Sequence, residues 1–275
     1  MTINCNENLV DLNTPKVMGI LNVTPDSFFD GGVYKKIENS IAQVGKMLTE
    51  GASFIDIGAY SSRPGAKEVS EEEELQRILP VIKAIRKEFP ESILSVDTFR
   101  SAVAKACVEE GAAMVNDISG GQLDANMFTT VAQLKVPYIL MHMRGTPQNM
   151  QQNTEYKDLT QDIIYYFSEQ IYNARLAGVN DIILDPGFGF SKTVSQNFEL
   201  LNQLELLQNI EVPILTGLSR KSMIYKTLET DAKNALNGTT ALNMVCLEKG
   251  ANILRVHDVK EAMECVHLFN ALKSS

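Results

Sequence analysis

The sequence predicts a closed α/β barrel, the (β/α)8 or TIM barrel, on three observations. Eight short apolar runs recur along the 275 residues, and most stop at a polar or charged residue. Stretches with helical spacing separate these runs in strict alternation. The length lies close to the roughly 250 residues typical of such a barrel. Continuous apolar runs suit strands buried on both faces, as in parallel sheets. Parallel neighbours in turn require right-handed helical crossovers. An open doubly wound sheet is the alternative, but no Gly-x-Gly-x-x-Gly follows the first run.

Residues 1–15 read as an N-terminal extension. The first strand, Val17-Met-Gly-Ile-Leu21, stops at Asn22, and a helix is predicted over 36–50. Phe54-Ile-Asp-Ile57 is the second strand. Ser70, with Glu73 three residues on, opens the next helix as a capping box. Leu75, Ile78, Leu79, Ile82 and Ile85 continue it at helical spacing, and Pro80 inside predicts a kink or a break. Glu71 to Glu74 form an acidic cluster in that first turn, where it favours the helix dipole. The third strand, Ile93-Leu-Ser-Val96, ends at Asp97, and the fourth, Ala113-Met-Val115, at Asn116 and Asp117. Helices over 101–110 and 124–134 follow them. Tyr138-Ile-Leu-Met141 ends at His142, ahead of an amphipathic helix through Leu159, Ile163, Tyr166, Phe167, Ile171 and Ala174. Ile182-Ile-Leu184 ends at Asp185. Ile214-Leu-Thr-Gly-Leu218 runs into Ser219-Arg220-Lys221, and Ile253-Leu-Arg-Val256 into His257. Helices over 195–208, 232–249 and 259–272 complete the alternation. No linker, low-complexity tract or single-sign charge block interrupts it, so 1–275 reads as one domain.

A net charge of −9 argues against a nucleic-acid partner, and an anionic substrate would need cations gathered locally. The four cysteines, Cys5, Cys107, Cys246 and Cys265, include no Cys-x-x-Cys pair and read as small buried thiols. The start has no basic segment followed by an apolar core, and no run of 18 apolar residues occurs. Neither a signal peptide nor a membrane span is expected, and a cytoplasmic location fits.

Three loops on one rim are long: Thr24-Pro-Asp-Ser-Phe-Phe-Asp-Gly-Gly32, Ala59-Tyr-Ser-Ser-Arg-Pro-Gly65 and Met143-Arg-Gly-Thr-Pro-Gln-Asn-Met150. Such loops bind or cover a substrate. Asp97, Asn116 and Asp185 end strands, so all three should face one mouth. Two carboxylates and an amide there can accept hydrogen bonds from the N–H edge of a flat heterocycle. The competing role for each is to cap the following helix. Asp56, inside a strand run, and Asp117, one step past Asn116, are weaker candidates because alternation can turn them elsewhere.

Cations gather after the second, seventh and eighth strands. They are Arg63, the Ser219-Arg220-Lys221-Ser222 segment, Arg255 and His257. The loops after strands seven and eight are the usual phosphate site of this barrel. Arg255 and His257 stand two apart and should point the same way, with Asn22 adding an amide from the neighbouring strand. The bland alternative is a set of solvated charges. His142, His257 and His267 lack metal-ligand spacing, so zinc is not expected. A magnesium ion bridging a phosphate group needs only one or two protein oxygens, and Asn22 can supply one. Gly187-Phe-Gly-Phe190 reads by itself as a turn, though Phe190 would also suit a wall for a flat ring.

These motifs together resemble the dihydropteroate synthases. Met18-Gly-Ile-Leu-Asn-Val-Thr-Pro-Asp-Ser-Phe-Phe-Asp-Gly-Gly32 is similar to that family's first signature and Ser61-Ser-Arg-Pro-Gly65 to its second. Ser95-Val-Asp-Thr98, Asn116-Asp-Ile118, Asp185-Pro-Gly-Phe-Gly-Phe190, Gly217-Leu-Ser-Arg-Lys-Ser222 and Arg255-Val-His257 follow in the family's order, covering nearly the whole chain. The resemblance implies a transferase of folate synthesis. Its reaction joins 4-aminobenzoate to a dihydropterin carrying a methylene pyrophosphate and releases pyrophosphate. It implies that Asp97, Asn116, Asp185, Lys221, Phe190 and Met141 hold the pterin. Asn22, Ser62, Arg255 and His257 would hold the pyrophosphate, with Mg2+ at Asn22. Phe28, Arg63, Pro64, Phe190, Lys221 and Ser222 would shape the aminobenzoate site. Asp30, Ser62, Arg63, Asp97, Asp185 and Lys221 would take part in catalysis. A homodimer and inhibition by sulfonamides are further implications. The sequence departs from the family pattern at Tyr60, where Glu is common, at Ser62, where Thr is, and at Phe29, where a small residue is frequent.

The resemblance and the residues suggest a dissociative reaction, in which the methylene–oxygen bond breaks first and buried carboxylates favour the cation. Two other readings stand beside it. A pterin barrel that transfers a methyl group from a methylated folate to a corrinoid partner would share the carboxylates but not the pyrophosphate cations. A non-catalytic pterin- or phosphate-binding module would not need Asp30, Arg63 and Lys221 together.

Overall fold

The computed structural model describes residues 1–6, 8–23, 33–60 and 69–274, with the backbone alone at 33–36. Phe28, Phe29, Asp30, Ser62, Arg63 and Pro64 lie outside the described residues. The chain opens with an antiparallel hairpin, β1 (Thr2–Cys5) and β2 (Asn8–Asp11), inside the segment read as an extension. Ile3 and Cys5, together with Leu12 just past the hairpin, are buried against Met18, Phe54, Met114, Ile139, Ile183, Leu215 and Ile253. The hairpin therefore plugs the amino end of the barrel, tied down where Asn252 Nδ2 donates to Leu12 O at 3.1 Å.

The barrel strands are β3 (Lys16–Asn22), β4 (Phe54–Gly58), β5 (Leu94–Asp97), β6 (Met114–Asp117), β7 (Tyr138–Met141), β8 (Ile182–Asp185), β9 (Leu215–Thr216) and β10 (Ile253–Val256). All neighbours are parallel, in the order β8-β7-β6-β5-β4-β3-β10-β9. A parallel bridge between Leu184 and Ile214 joins the two outer members and closes the ring. This is the expected (β/α)8 barrel.

Side-chain alternation then builds the site. Phe54, Met114, Ile139, Ile183, Leu215 and Ile253 form the inner apolar layer above the plug. Two residues further along the same strands, on the same face, come Asp56, Asn116, Met141, Asp185, Gly217 and Arg255. A polar layer thus stands on an apolar one. The opposite faces carry Val17, Leu21, Ile55, Ile57, Val96, Val115, Leu140, Leu184, Leu254 and Val256 into the core beneath the helices.

The helices are α1 (Val33–Thr49), α2 (Glu71–Glu88), α3 (Ser101–Glu109), α4 (Met127–Leu134), α5 (Leu159–Leu176), α6 (Val194–Asn202), α7 (Ser222–Thr227), α8 (Leu236–Glu248) and α9 (Val259–Lys273). Ser70 caps α2, accepting from Glu73 N at 3.2 Å, but the Glu73 carboxylate pairs with Arg77 one turn on, so only half of the expected capping box forms. Pro80 does not break α2. It removes one donor, while buried Ile78, Val81, Ile82 and Ile85 hold both sides of the helix on the barrel. The single helix expected over 195–208 divides into α6 and a 3-10 segment, Leu204–Ile210. The short α7 precedes the helix expected from 232, and α8 itself starts only at Leu236. The four cysteines are buried free thiols. No described helix is long and apolar enough to cross a membrane.

Candidate active site

The polar layer is held together by Arg255. Its Nε lies 2.6 Å from Asp56 Oδ2, and its Nη2 lies 2.8 Å from Asp97 Oδ2. Asn116 Nδ2 donates to the same Asp56 oxygen at 2.8 Å. One guanidinium therefore links β10 to β4 and β5, and an amide extends the network to β6. Burial opposes the charge of Arg255, but Asp56, Asp97 and Asp185 outweigh it and raise its pKa above the usual range. Burial raises the pKa of Asp97; Arg255 offsets part of this, and Asp56, Glu74 and Asp117 add to the rise. Asp56 Oδ1, Ser95 Oγ and Asn116 Oδ1 are buried with no hydrogen-bond partner among the described residues. Each such atom costs about 1–3 kcal/mol if nothing pairs with it, so they are ready acceptors for a polar ligand.

Asp185, at the end of β8, accepts from Gly187 N at 2.8 Å. Burial raises its pKa, with Lys221, that N–H and Arg255 acting against the rise. Lys221 comes from the segment after β9. Its Nζ donates to Phe188 O and lies 4.7 Å from the centroid of the Phe190 ring. Burial brings the Lys221 pKa down to about 8, with Asp185 and Asp97 favouring the cation and Arg255 disfavouring it. Gly217 leaves open the space between Asp185 and Arg255, because a Cβ there would lie 3.8 Å from each. Met141 is buried with Met150, and partly buried Phe190 packs against them.

The remaining rim residues divide. Ser219 Oγ and His257 Nδ1 are 3.0 Å apart, and His257 N donates to the same hydroxyl at 3.2 Å. Asn22 closes β3, paired in register with Gly58. Ser222 is the first residue of α7. Arg220 does not join the cations of the mouth. Asp258 holds it in a two-pronged pair at 2.8 and 2.8 Å, and it also donates to the Ala232 and Lys233 carbonyls at 3.0 and 2.7 Å. The second and fifth loops meet where Gln148 Nε2 donates to Tyr60 Oη at 2.9 Å, and Tyr60 packs edge-on against Phe99.

The structure thus brings Asp97, Asn116, Asp185, Lys221, Phe190, Met141 and Arg255 into one mouth, with Asn22, His257 and Ser222 at the strand and helix ends around it. Asp56 proves stronger than its sequence position suggests. A lone carboxylate within the fully buried Phe54–Gly58 strand must find a buried partner, and that was the available signal. Asp117 does point away: its carboxylate accepts from Tyr138 Oη at 2.7 Å and from Ser119 N at 2.7 Å. Lys192, in the loop after β8, is 3% exposed and was not foreseen, since a loop lysine is ordinarily solvated. Among the described residues, no group of three or more His, Cys, Asp or Glu could hold a metal ion.

Fold and site together define a class, the parallel α/β-barrel enzymes with a small-molecule site at the carboxyl ends of the strands. Residues 18–257 match the family described as pterin binding enzyme. A dihydropteroate synthase of Escherichia coli K12 is 42% identical over 272 residues, 97% of this chain and 94% of that protein. The crystal structure of the Yersinia pestis dihydropteroate synthase in complex with a sulfonamide drug superimposes with a TM-score of 0.94 at 42% identity, covering 100% of both chains. A Xanthomonas albilineans dihydropteroate synthase with 4-aminobenzoic acid gives 0.93 at 37% identity, covering 100% of this chain and 98% of the other. The chain belongs to the pterin binding enzymes, and within them to the dihydropteroate synthases, transferases of folate synthesis.

Proposed function

We propose that this chain joins 4-aminobenzoate to a dihydropterin carrying a methylene pyrophosphate, forming 7,8-dihydropteroate and releasing pyrophosphate. The observation that carries this reading is the polar layer of the mouth. There Asp56, Ser95 and Asn116 keep unpaired acceptor atoms beside Asp97, Asp185 and Lys221. Asp185 and Asn116 would take hydrogen bonds from the amino and ring N–H edge of the pterin, and Lys221 would donate to its acceptor atoms. Met141 and Phe190 would cover the ring faces. Asn22, Ser62, Arg255 and His257 would hold the pyrophosphate. For Arg255, this means sharing a guanidinium already engaged by Asp56 and Asp97. Phe28, Arg63, Pro64, Phe190, Lys221 and Ser222 would shape the aminobenzoate site, and Asp30, Ser62 and Arg63 would act from the first two of the long loops.

The methylene–oxygen bond breaks heterolytically, its electron pair leaving with pyrophosphate. The pterin ring spreads the resulting positive charge, and Asp97 and Asp185 stabilise it electrostatically from a buried site. The amine nitrogen of aminobenzoate then bonds to the methylene carbon and releases a proton. Arg255, His257 and Lys221 stabilise the charge that develops on the departing pyrophosphate. The donor set fits a magnesium ion carried in with the pyrophosphate better than one caged by protein, since Asn22 offers a single neutral oxygen. Bound there, magnesium would act as a Lewis acid on the leaving group.

Sulfonamides would compete for the aminobenzoate site. A homodimer belongs to the same proposal, to be tested by sedimentation. The decisive assay mixes the protein with dihydropterin pyrophosphate, 4-aminobenzoate and magnesium. Appearance of dihydropteroate is expected, and its absence would overturn the reading. Pyrophosphate release without the amine would support early bond breaking, whereas a strictly amine-dependent first turnover would refute it.

A further inference from the structure

The loop after β8 has no regular secondary structure from 186 to 193, yet its shape is heavily specified. Each carbonyl from Gly187 to Thr193 accepts from a side chain. Phe188 O takes Lys221 Nζ, Gly189 O takes Gln151 Nε2 at 3.1 Å, and Ser191 O takes Tyr156 Oη at 2.9 Å. Asn197 Nδ2 serves Lys192 O at 3.3 Å and Thr193 O at 2.7 Å. The other two, Gly187 O and Phe190 O, both accept from Lys192 Nζ at 3.0 Å. The third neighbour of that amine is His142 Nδ1, also at 3.0 Å. Three acceptors match the three N–H bonds of an ammonium group. Gly187 takes φ +69, and any Cβ there would collide with the His142 carbonyl oxygen. Backbone and side-chain contacts therefore press this loop onto β7.

Three residues of the mouth depend on that loop. Asp185 is oriented by Gly187 N. Lys221 is held by Phe188 O. Phe190 carries the ring over which Lys221 sits. We infer that Lys192 and His142 form a positioning pair whose contacts to Gly187 and Phe190 set the geometry of Asp185, Phe190 and Lys221 for pterin and aminobenzoate. The inference rests on the proposed reaction for its kinetic side only. Burial, with Lys192 and Arg144 nearby, keeps the His142 pKa well below its ordinary range, so a neutral ring can present Nδ1 as an acceptor. Burial also lowers Lys192, with Asp185 acting against it and Lys221 and Arg144 with it. Both side chains are buried, His142 at 1% and Lys192 at 3% exposure. The pair also gives His142, a strand-end residue with no evident partner in the sequence, a definite role.

The test uses Lys192→Met, His142→Ala and His142→Asn. The methionine keeps length without donors, the alanine removes the acceptor, and the asparagine restores one near Nδ1. Displacing site residues by about an ångström costs on the order of 100-fold in rate. Lys192→Met and His142→Ala should therefore lower kcat/KM 10- to 100-fold, with KM raised for both substrates, and His142→Asn should recover most of the loss. A pair that served stability alone would lower the fraction of active protein and leave both KM values unchanged. Amide hydrogen exchange at 187–191 supplies a readout independent of the reaction. It should accelerate in Lys192→Met and His142→Ala and return toward wild type in His142→Asn. If the wild type made no dihydropteroate, the proposed function would fail while exchange still judged the pair. Should Lys192→Met not fold, the two His142 variants carry the test. Unchanged KM values, or unchanged exchange in folded variants, would overturn the inference.

Discussion

Lys221 is predicted to make activity and stability move in opposite directions as pH rises. Its pKa is about 8 in the folded chain against 10.5 for an ordinary lysine, because burial disfavours the ammonium more than Asp185 and Asp97 favour it. Between these values the unfolded chain binds more protons than the folded one, so stability increases with pH there. At about 1.4 kcal/mol per pH unit, the complete window is worth roughly 3 kcal/mol. About 2 kcal/mol of this should appear between pH 7.5 and 9.5. Over the same range the ammonium that faces Phe190 and neighbours Asp185 is lost, and kcat/KM for the pterin substrate should fall about tenfold per pH unit above 8. The assay compares urea unfolding of wild type and Lys221→Met at several pH values, so that other titrating groups cancel. The wild type should gain on the variant as pH rises, and the variant should lose the inflection near 8 in its pH–rate profile. Parallel stability curves, or a wild-type rate flat to pH 10, would refute the reasoning.

Arg255→Met should destabilise the chain by about 3–5 kcal/mol, since it leaves two carboxylates of the mouth without their cation. The loss should shrink in an Asp56→Asn background, which thermal unfolding of the double mutant will show. Gly217→Val places a side chain between Asp185 and Arg255, with its Cβ no closer than 3.8 Å to either. It should keep its melting temperature within a few degrees and raise the pterin KM at least about tenfold. Leu12→Ala empties part of the plug, 0% exposed, and should cost about 2–5 kcal/mol by chemical denaturation while leaving both KM values within twofold.

The strand endings were legible because a parallel barrel repeats one local instruction. Apolar runs mark strands buried on both sides, and the first polar residue beyond each marks the working rim. Asp97, Asn116 and Asp185 follow directly from that. The loop lysine at 192 carried no comparable signal, since burial of a lysine depends on carbonyls and a histidine supplied by other segments. The hairpin at the amino end was similarly invisible. Its strands are four residues each, and only the open floor of the barrel gives Ile3, Cys5 and Leu12 something to cover.

The sequence by itself determined the alternation of strands and helices and which strands end in groups capable of chemistry. These depend on periodicity and composition within a few residues. The tertiary structure decided what each charge does. Arg255 meets Asp56 across 199 residues of chain and turns into the mouth, while Arg220, one position before Lys221, is taken by Asp258. A charged side chain reads alike in sequence whether it will bind a ligand, pair with a neighbour or hold a loop. Only the partners that folding brings within hydrogen-bond distance separate these roles, because inside a protein the partner sets both the cost of the charge and its pKa.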